Sequence, residues 1–441
     1  MATDRLAGLG AGLLGERIAT GGLRSADMAA RAVGRIAACH EAAAGFAWFD
    51  AAYVTRQAEA LDRYRGTGRA IGPLHGLPVA IGDLIDTRGI PTGLGTAQEA
   101  GRVPERDAFL AERLRAAGAV LVGKTAVAEL GVTLGEPTRP AAGADARSSH
   151  FSAAAAAVAT DLVPLAVEAD TAGVSIRAAA EAGVVGYLPS RGSFSRRGCF
   201  SPSPTLAGIA FFARSVADVA LLGDALHGDD DTERSPVPPP RLRATATSAP
   251  PSRPIFALVR TPFWDAASAD TQGAFEEFAA LAGDAGFPAD LPPPFAEALA
   301  ITETIRLAEL SKTLFPYARR GGLSDGLTAT IATGELILAR DYLAALDWPM
   351  VLGAGLDALF ARCDAVATPA APGAVDDTPE ARGFNSLWSL LGLPTITLPA
   401  FEDRHGNPIG LQLVTRRGDD ARLLRNAHWL ERQLADPHRE E

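Results

Sequence analysis

Short apolar runs at 79–81, 119–122 and 163–166, separated by stretches with helical spacing, limit what this chain can fold into more than any other feature. Each run is too short for a buried helix and suits a strand covered on both faces. Strands that alternate with helices along a chain build a sheet with helices packed on either side. The expected fold is therefore α/β: a large mixed, mostly parallel twisted sheet covered by helices on both faces. Residues 27–65 are alanine-rich with apolar positions at helical spacing, which predicts helices laid over the sheet before its first core strand. Residues 228–254 are rich in proline and charge, and proline at that density forbids a continuous helix, so a surface excursion is expected there. The expected division is one domain over 1–441, with N-terminal helices in 1–65, core in 66–227 and 255–435, and the excursion between them. Residues 436–441 read as a frayed tail.

Composition excludes several function classes. A chain of 441 residues with 47% hydrophobic content can bury a large core. A formal net charge of −11 argues against a nucleic-acid footprint. The start of the chain mixes Asp4, Arg5, Glu16 and Arg17 around a Gly- and Leu-rich run, with no basic leader, so no signal peptide is expected. No uninterrupted apolar run of about 20 residues is present to span a bilayer. Cys39, Cys199 and Cys363 are odd in number and unpatterned, which fits reduced thiols and a cytoplasmic setting. His40, His227, His405, His428 and His438 are scattered without metal-ligand spacing, so neither a metal nor a cofactor is expected.

Chemistry concentrates in the stretch Asp170-Thr171-Ala172-Gly173-Val174-Ser175-Ile176-Arg177-Ala178-Ala179-Ala180. It resembles the Gln-Thr-Ala-Gly-Ser-Val-Ile-Arg-Pro-Ala-Ala loop that carries the nucleophilic serine of the amidase signature family. Gly72-Pro73-Leu74-His75-Gly76-Leu77-Pro78-Val79-Ala80-Ile81-Gly82-Asp83 is similar to that family's Gly-Pro-Leu-His-Gly-Ile-Pro-Val-Ala-Val-Lys-Asp strand and turn. Val122-Gly123-Lys124-Thr125, Gly183-Val184-Val185-Gly186-Tyr187, Phe384-Asn385-Ser386 and Gly410-Leu411-Gln412 extend the likeness over most of the chain. The resemblance implies the amidase signature fold and a Ser–cis-Ser–Lys triad that hydrolyses amides, on substrates from small aryl amides to lipid amides and aminoacyl-RNA.

Carried over residue by residue, that triad is edited at each position. The ungapped register puts Val174 at the nucleophile and moves a serine to Ser175. The base lysine falls at Gly82, and the two lysines of the chain, Lys124 and Lys312, belong to a strand motif and a helical stretch. The relay serine falls at His150, which precedes Val174 by the family's spacing of 24 residues. A second register would pair Ser148 and Ser149 with the family's serines, at the expense of rotating the following helix by about 200°.

The remaining candidates follow from this edited pocket. His150 could move a proton near neutral pH, and Asp170 could orient it or could bond the loop backbone. Gly82 leaves room of roughly a lysine side chain, beside Asp83 and Phe151, for a bulkier ligand. The backbone of Thr171, Ala172, Gly173 and Val174 could hold a carbonyl or carboxylate oxygen. Pocket-lining residues are expected in 301–317 and 323–338. Three functions stay open: a non-hydrolytic acid/base tailoring enzyme (cyclisation, isomerisation or elimination) built on His150; a pseudoenzyme that binds a small-molecule ligand or a partner enzyme, or forms a homodimer; and a residual amide hydrolase using Ser175.

Overall fold

The computed structural model describes residues 6–38, 45–132, 152–230, 241–373 and 378–435. Its centre is a mixed sheet of eleven strands in the order β1-β3-β2-β4-β6-β5-β10-β11-β9-β7-β8. The strands are β1 Phe46–Phe49, β2 Pro78–Gly82, β3 Val120–Thr125, β4 Leu165–Thr171, β5 Val185–Leu188, β6 Ala207–Ala213, β7 Phe256–Val259, β8 Gly286–Ala289, β9 Ala365–Pro369, β10 Thr395–Glu402 and β11 Pro408–Val414.

Side-chain parity divides the core between the two faces. Val79 and Ile81 of β2, Leu121 of β3, Leu165 and Val167 of β4, and Ile209 and Phe211 of β6 share one apolar cluster. The alternate residues Ala80, Val120, Val122, Ala166, Ala210 and Phe212 share another. A strand with both neighbouring faces covered must be apolar at every position, which is why these segments read as unbroken apolar runs. On the second face lie two short helices, Ala153–Ala159 and Val174–Ala182, through Ala154, Ala155, Ile176, Ala179 and Ala180.

Three expectations need correction. Parallel pairing is confined to the two ends of the sheet, β3-β2-β4 and β9-β7-β8, whereas the pairs from β4 through β6, β5, β10 and β11 to β9 are antiparallel. The sheet is mixed, then, and not mostly parallel; the β10/β11 hairpin closes through Asp403, whose carboxylate accepts from the backbone of His405 and Asn407. The helical reading of 27–65 is interrupted, because Phe46–Phe49 pairs antiparallel with β3 between the Ser25–Ala38 and Ala51–Gly66 helices. Within the proline-rich excursion, Leu242–Ala246 forms a helix whose Leu242 and Ala246 are buried in the core. The Ala339–Phe360 helix is apolar enough by length and composition alone to cross a membrane, but its apolar run is interrupted by Asp347. It packs Leu352, Leu356 and Phe360 into the core and exposes Asp341, Asp347 and Asp357.

The seat of the Val174–Ala182 helix depends on two glycines. A Cβ on Gly186 of β5 would stand 2.4 Å from Ala179 Cβ, and one on Gly410 of β11 would stand 2.5 Å from Ala180 Cβ. Both approaches are closer than real side-chain atoms tolerate, so the helix rests directly on strand backbone. Replacing Gly410 by Ala should therefore cost about 1–3 kcal/mol through overpacking, read as a lower urea midpoint with unchanged slope. Gly273→Ala, where the added carbon meets no atom within 4 Å, should leave the midpoint level or raise it.

Candidate active site

A cavity of about 60 Å³ opens at the N-terminal end of the Val174–Ala182 helix, where Thr171, Ala172, Val174 and Arg177 line it. Its opposite wall comes from the Ala298–Arg320 and Pro379–Leu391 helices, with Thr302, Glu303, Arg306, Arg382, Asn385 and Ser386. The expected lining segment 301–317 is thus present, whereas no described residue of 323–338 reaches the cavity.

The turn into the helix decides which side chain meets this space. Ala172 and Gly173 both have left-handed backbone, with φ of 61° and 82°. That region is costly for alanine and free for glycine. Asp170 fixes the turn: one carboxylate oxygen accepts from Gly173 N at 2.8 Å and the other from Ser175 N at 2.9 Å. A carboxylate at a helix N-terminus is favourable because it meets unpaired N–H groups and the positive end of the dipole. Consecutive helical residues point about 100° apart, and the turn aims Val174, not Ser175, at the cavity. Val174 lines it; Ser175 is 1% exposed and its Oγ donates to Glu168 Oε1 at 2.8 Å.

Glu168 was invisible as a candidate in the sequence, yet it organises this region. On β4 it shares the parity of Ala166 and Asp170, so it points toward the two short helices. Its second oxygen accepts from Ser152 Oγ at 2.7 Å, and Ser152 in turn caps the Ala153–Ala159 helix by accepting from Ala155 N. One carboxyl therefore joins the first turns of both helices. The parallel β2/β4 register sets Ile81 beside Val167, which brings Gly82 next to Glu168. A Cβ on Gly82 would stand 3.0 Å from Glu168 Cβ and 3.2 Å from its Cα. On this side, then, the space beside Gly82 is occupied by Glu168. A single carboxylate in the apolar run of β4 was the available signal, since a buried acid must find partners.

The other candidates fall as follows. Asp83 turns away from the cavity: it accepts from Gly93 N at 2.9 Å and lies 3.8 Å from the ammonium of Lys124. Lys124 is fully buried and donates to Ile85 O, Thr87 Oγ1 and Thr92 Oγ1. Burial lowers its pKa to about 8 against the pull of Asp83, but its hydrogen bonds tie it to the turn after β2, and none of them reaches Ser175. Two of the four expected oxyanion donors are committed, Ala172 N to Leu206 O and Gly173 N to Asp170, which also accepts from Ser175 N. His150 and Phe151, with Ser148 and Ser149 of the second register, lie outside the described residues. His75 is structural, its ring bonded to Leu61 O. Among the described residues no group of three His, Cys, Asp or Glu side chains is placed to hold a metal.

Burial pushes Glu168 up to about 7, against the hydrogen bonds from Ser152 and Ser175 that favour its ionised form. Burial likewise raises Asp170, opposed by its backbone donors. A carboxyl whose folded pKa lies above its ordinary 4.5 holds its proton more tightly when folded. Its contribution to stability is complete below pH 4.5 and is lost as pH rises toward 7. Urea unfolding of the native chain across that window should show this loss, and Glu168→Gln should flatten it by up to about 3 kcal/mol. Equal pH slopes in the two proteins would show that Glu168 is ionised throughout.

Comparison with known proteins places this geometry in a family. The family model described as Amidase matches residues 27–424. A subunit of glutamyl-tRNA(Gln) amidotransferase from Thermus thermophilus is 32% identical over 417 residues, covering 83% of this chain and 86% of that protein. Among solved structures, the peptide amidase PAM bound to the competitive inhibitor chymostatin is 25% identical with a TM-score of 0.82, covering 97% of this chain and 98% of its own. A chain from a vestigial protein complex, tied to the evolutionary origins of an s-triazine catabolic enzyme, is similar in fold with a TM-score of 0.87 at 24% identity. It covers 96% of this chain and 98% of its own. The cavity at the head of the Val174–Ala182 helix thus lies in a member of the amidase family, to which this chain belongs.

Proposed function

We propose that this chain keeps the amidase cleft as a binding site for a small organic molecule and does not cleave amides by the serine–lysine mechanism of its family. The observation that carries the reading is the division of labour between adjacent residues: Val174 lines the cavity, and Ser175 turns its hydroxyl into the buried carboxyl of Glu168. Valine offers no nucleophile. At Gly82, where the resemblance puts the general base, the neighbouring space is taken by Glu168. Without a base, a serine hydroxyl attacks poorly at neutral pH. The Ser152–Glu168–Ser175 network acts in this reading as a brace between two helix starts.

Hydrolysis through Ser175 is the second reading, and the comparisons favour it, since the relatives are by name amidases and part of an amidotransferase. One contact also favours it: Ser175 Oγ lies 2.8 Å from a carboxyl with a pKa near 7, and a third group, Ser152, holds that carboxyl from its other side. This is the arrangement of nucleophile, base and orienting group. What it lacks is an opening from Ser175 to the cavity. Acid/base tailoring by His150 rests on a residue outside those described. A partner chain remains a proposal that follows from relatives that are themselves parts of larger assemblies, one in an amidotransferase and one in a protein complex.

The purified chain, incubated with a panel of anilides and small primary amides, should give no turnover above buffer. A fluorophosphonate probe should leave Ser175 unlabelled by mass spectrometry. Turnover abolished by Ser175→Ala, and lowered about 10²–10⁴-fold by Glu168→Gln as expected for loss of a general base, would establish the hydrolase instead.

A further inference from the structure

The cavity is chemically two-sided. Val132, Val174, Pro202 and Leu310 give one apolar wall, and Arg177, Arg306 and Arg382 line the rest, with Glu303 the one carboxylate among the described lining residues. Arginines outnumber carboxylates among these lining residues in a chain of net charge −11, although Glu303 pairs with Arg306 and Glu181 with Arg177. Attraction of an anion must therefore arise from the cavity itself, where low-dielectric walls strengthen it.

Two of these arginines are held in place. Glu303 engages one edge of Arg306, accepting from Nε at 3.0 Å and from Nη2 at 2.6 Å. Arg177 is buried, and its Nε donates to Glu181 at 2.7 Å. Fixed along one edge by Glu303, the Arg306 guanidinium presents the rest of its fork with little further loss of freedom. A second observation at the same wall points to a ligand. Ser386 is 4% exposed and lines the cavity, yet its Oγ has no hydrogen-bond partner among the described residues. Buried hydroxyls without partners are rare and costly. A ligand oxygen beside Ser386 would remove that cost.

Resting on the reading that the cleft binds a small molecule, we propose that its ligand is a small organic carboxylate, held by Arg306 with Arg382 and by the hydroxyl of Ser386, with its hydrocarbon part against Val174 and Leu310. A planar carboxylate matches the arginine fork. The apolar wall favours an anion with a carbon stem over inorganic phosphate, which would leave that wall unfilled. Val174 has a role here that a serine would fill less well, because it adds branched apolar surface where the stem lies.

The test uses isosteric pairs, benzoate with benzamide and propionate with propionamide, plus inorganic phosphate, titrated into the full chain at low salt by calorimetry or saturation-transfer NMR. Each carboxylate should bind at least about tenfold more tightly than its amide and than phosphate, and Arg306→Gln or Ser386→Ala should weaken it about tenfold. Arg340→Gln, at an exposed position outside the cavity, should have no effect. Thermal melting of each variant separates lost binding from lost folding. Amides that bind as well as carboxylates, or carboxylate affinity unchanged in both Arg306→Gln and Ser386→Ala, would overturn the carboxylate proposal while sparing the binding reading. Failure of every probe to bind would overturn both, and consumption of the amide would transfer the site to the hydrolase reading.

Discussion

The Val174–Ala182 helix lies against bare backbone, at Gly186 of β5 and Gly410 of β11, and that close seat fixes the rotation of the helix about its own axis. Rotation is what matters for the chemistry. With Ala179 and Ala180 pressed onto the glycines, Ile176 is directed into the core, Ser175 toward β4, and Val174 into the cavity. The left-handed turn at Ala172 and Gly173 and the two bonds from Asp170 hold the same orientation from the other end. A serine at 175 is thereby kept out of the cavity by packing several residues away.

Glu168 is the electrostatic counterpart of that constraint. A carboxyl in this core would be expensive to bury without partners, and it survives because two hydroxyls converge on it, one from the start of each short helix. Its place is coupled to Gly82, where an added Cβ would crowd it at 3.0 Å. Residues 82, 152, 168 and 175 therefore form one interdependent set, in which a glycine on one strand makes room for an acid on the next. The same set can be read as a brace or as a base with its nucleophile, and access from the cavity is the physical difference between the two.

Family membership and local chemistry answer different questions. A fold shared with amidases at TM-scores of 0.82 to 0.87 supplies the sheet, the helix seat and the cleft. What the cleft does depends on side chains at its wall, where arginines from different helices face an apolar surface contributed by Val174 and its neighbours. A binding function needs only that wall, whereas hydrolysis needs a nucleophile open to it.

Local pattern in the sequence was sufficient for the α/β class, for three strands near one end of the sheet and for the amidase likeness, because strand parity, helical spacing and loop motifs are properties of neighbouring residues. It also placed Val174 and Ser175 one step, about 100°, apart on a helix, but not which of them the cavity meets. It could not reveal that Glu168 fills the space at Gly82, because that depends on the β2/β4 register between residues 86 positions apart in the chain. Nor could it gather Arg306, Arg382 and Ser386 beside Arg177, or show that a strand at Phe46–Phe49 divides the N-terminal helices and that antiparallel pairs occupy the middle of the sheet. Those outcomes are fixed by which distant segments pack together, and the free energy that chooses among packings is shared over the whole core and belongs to no single stretch of sequence.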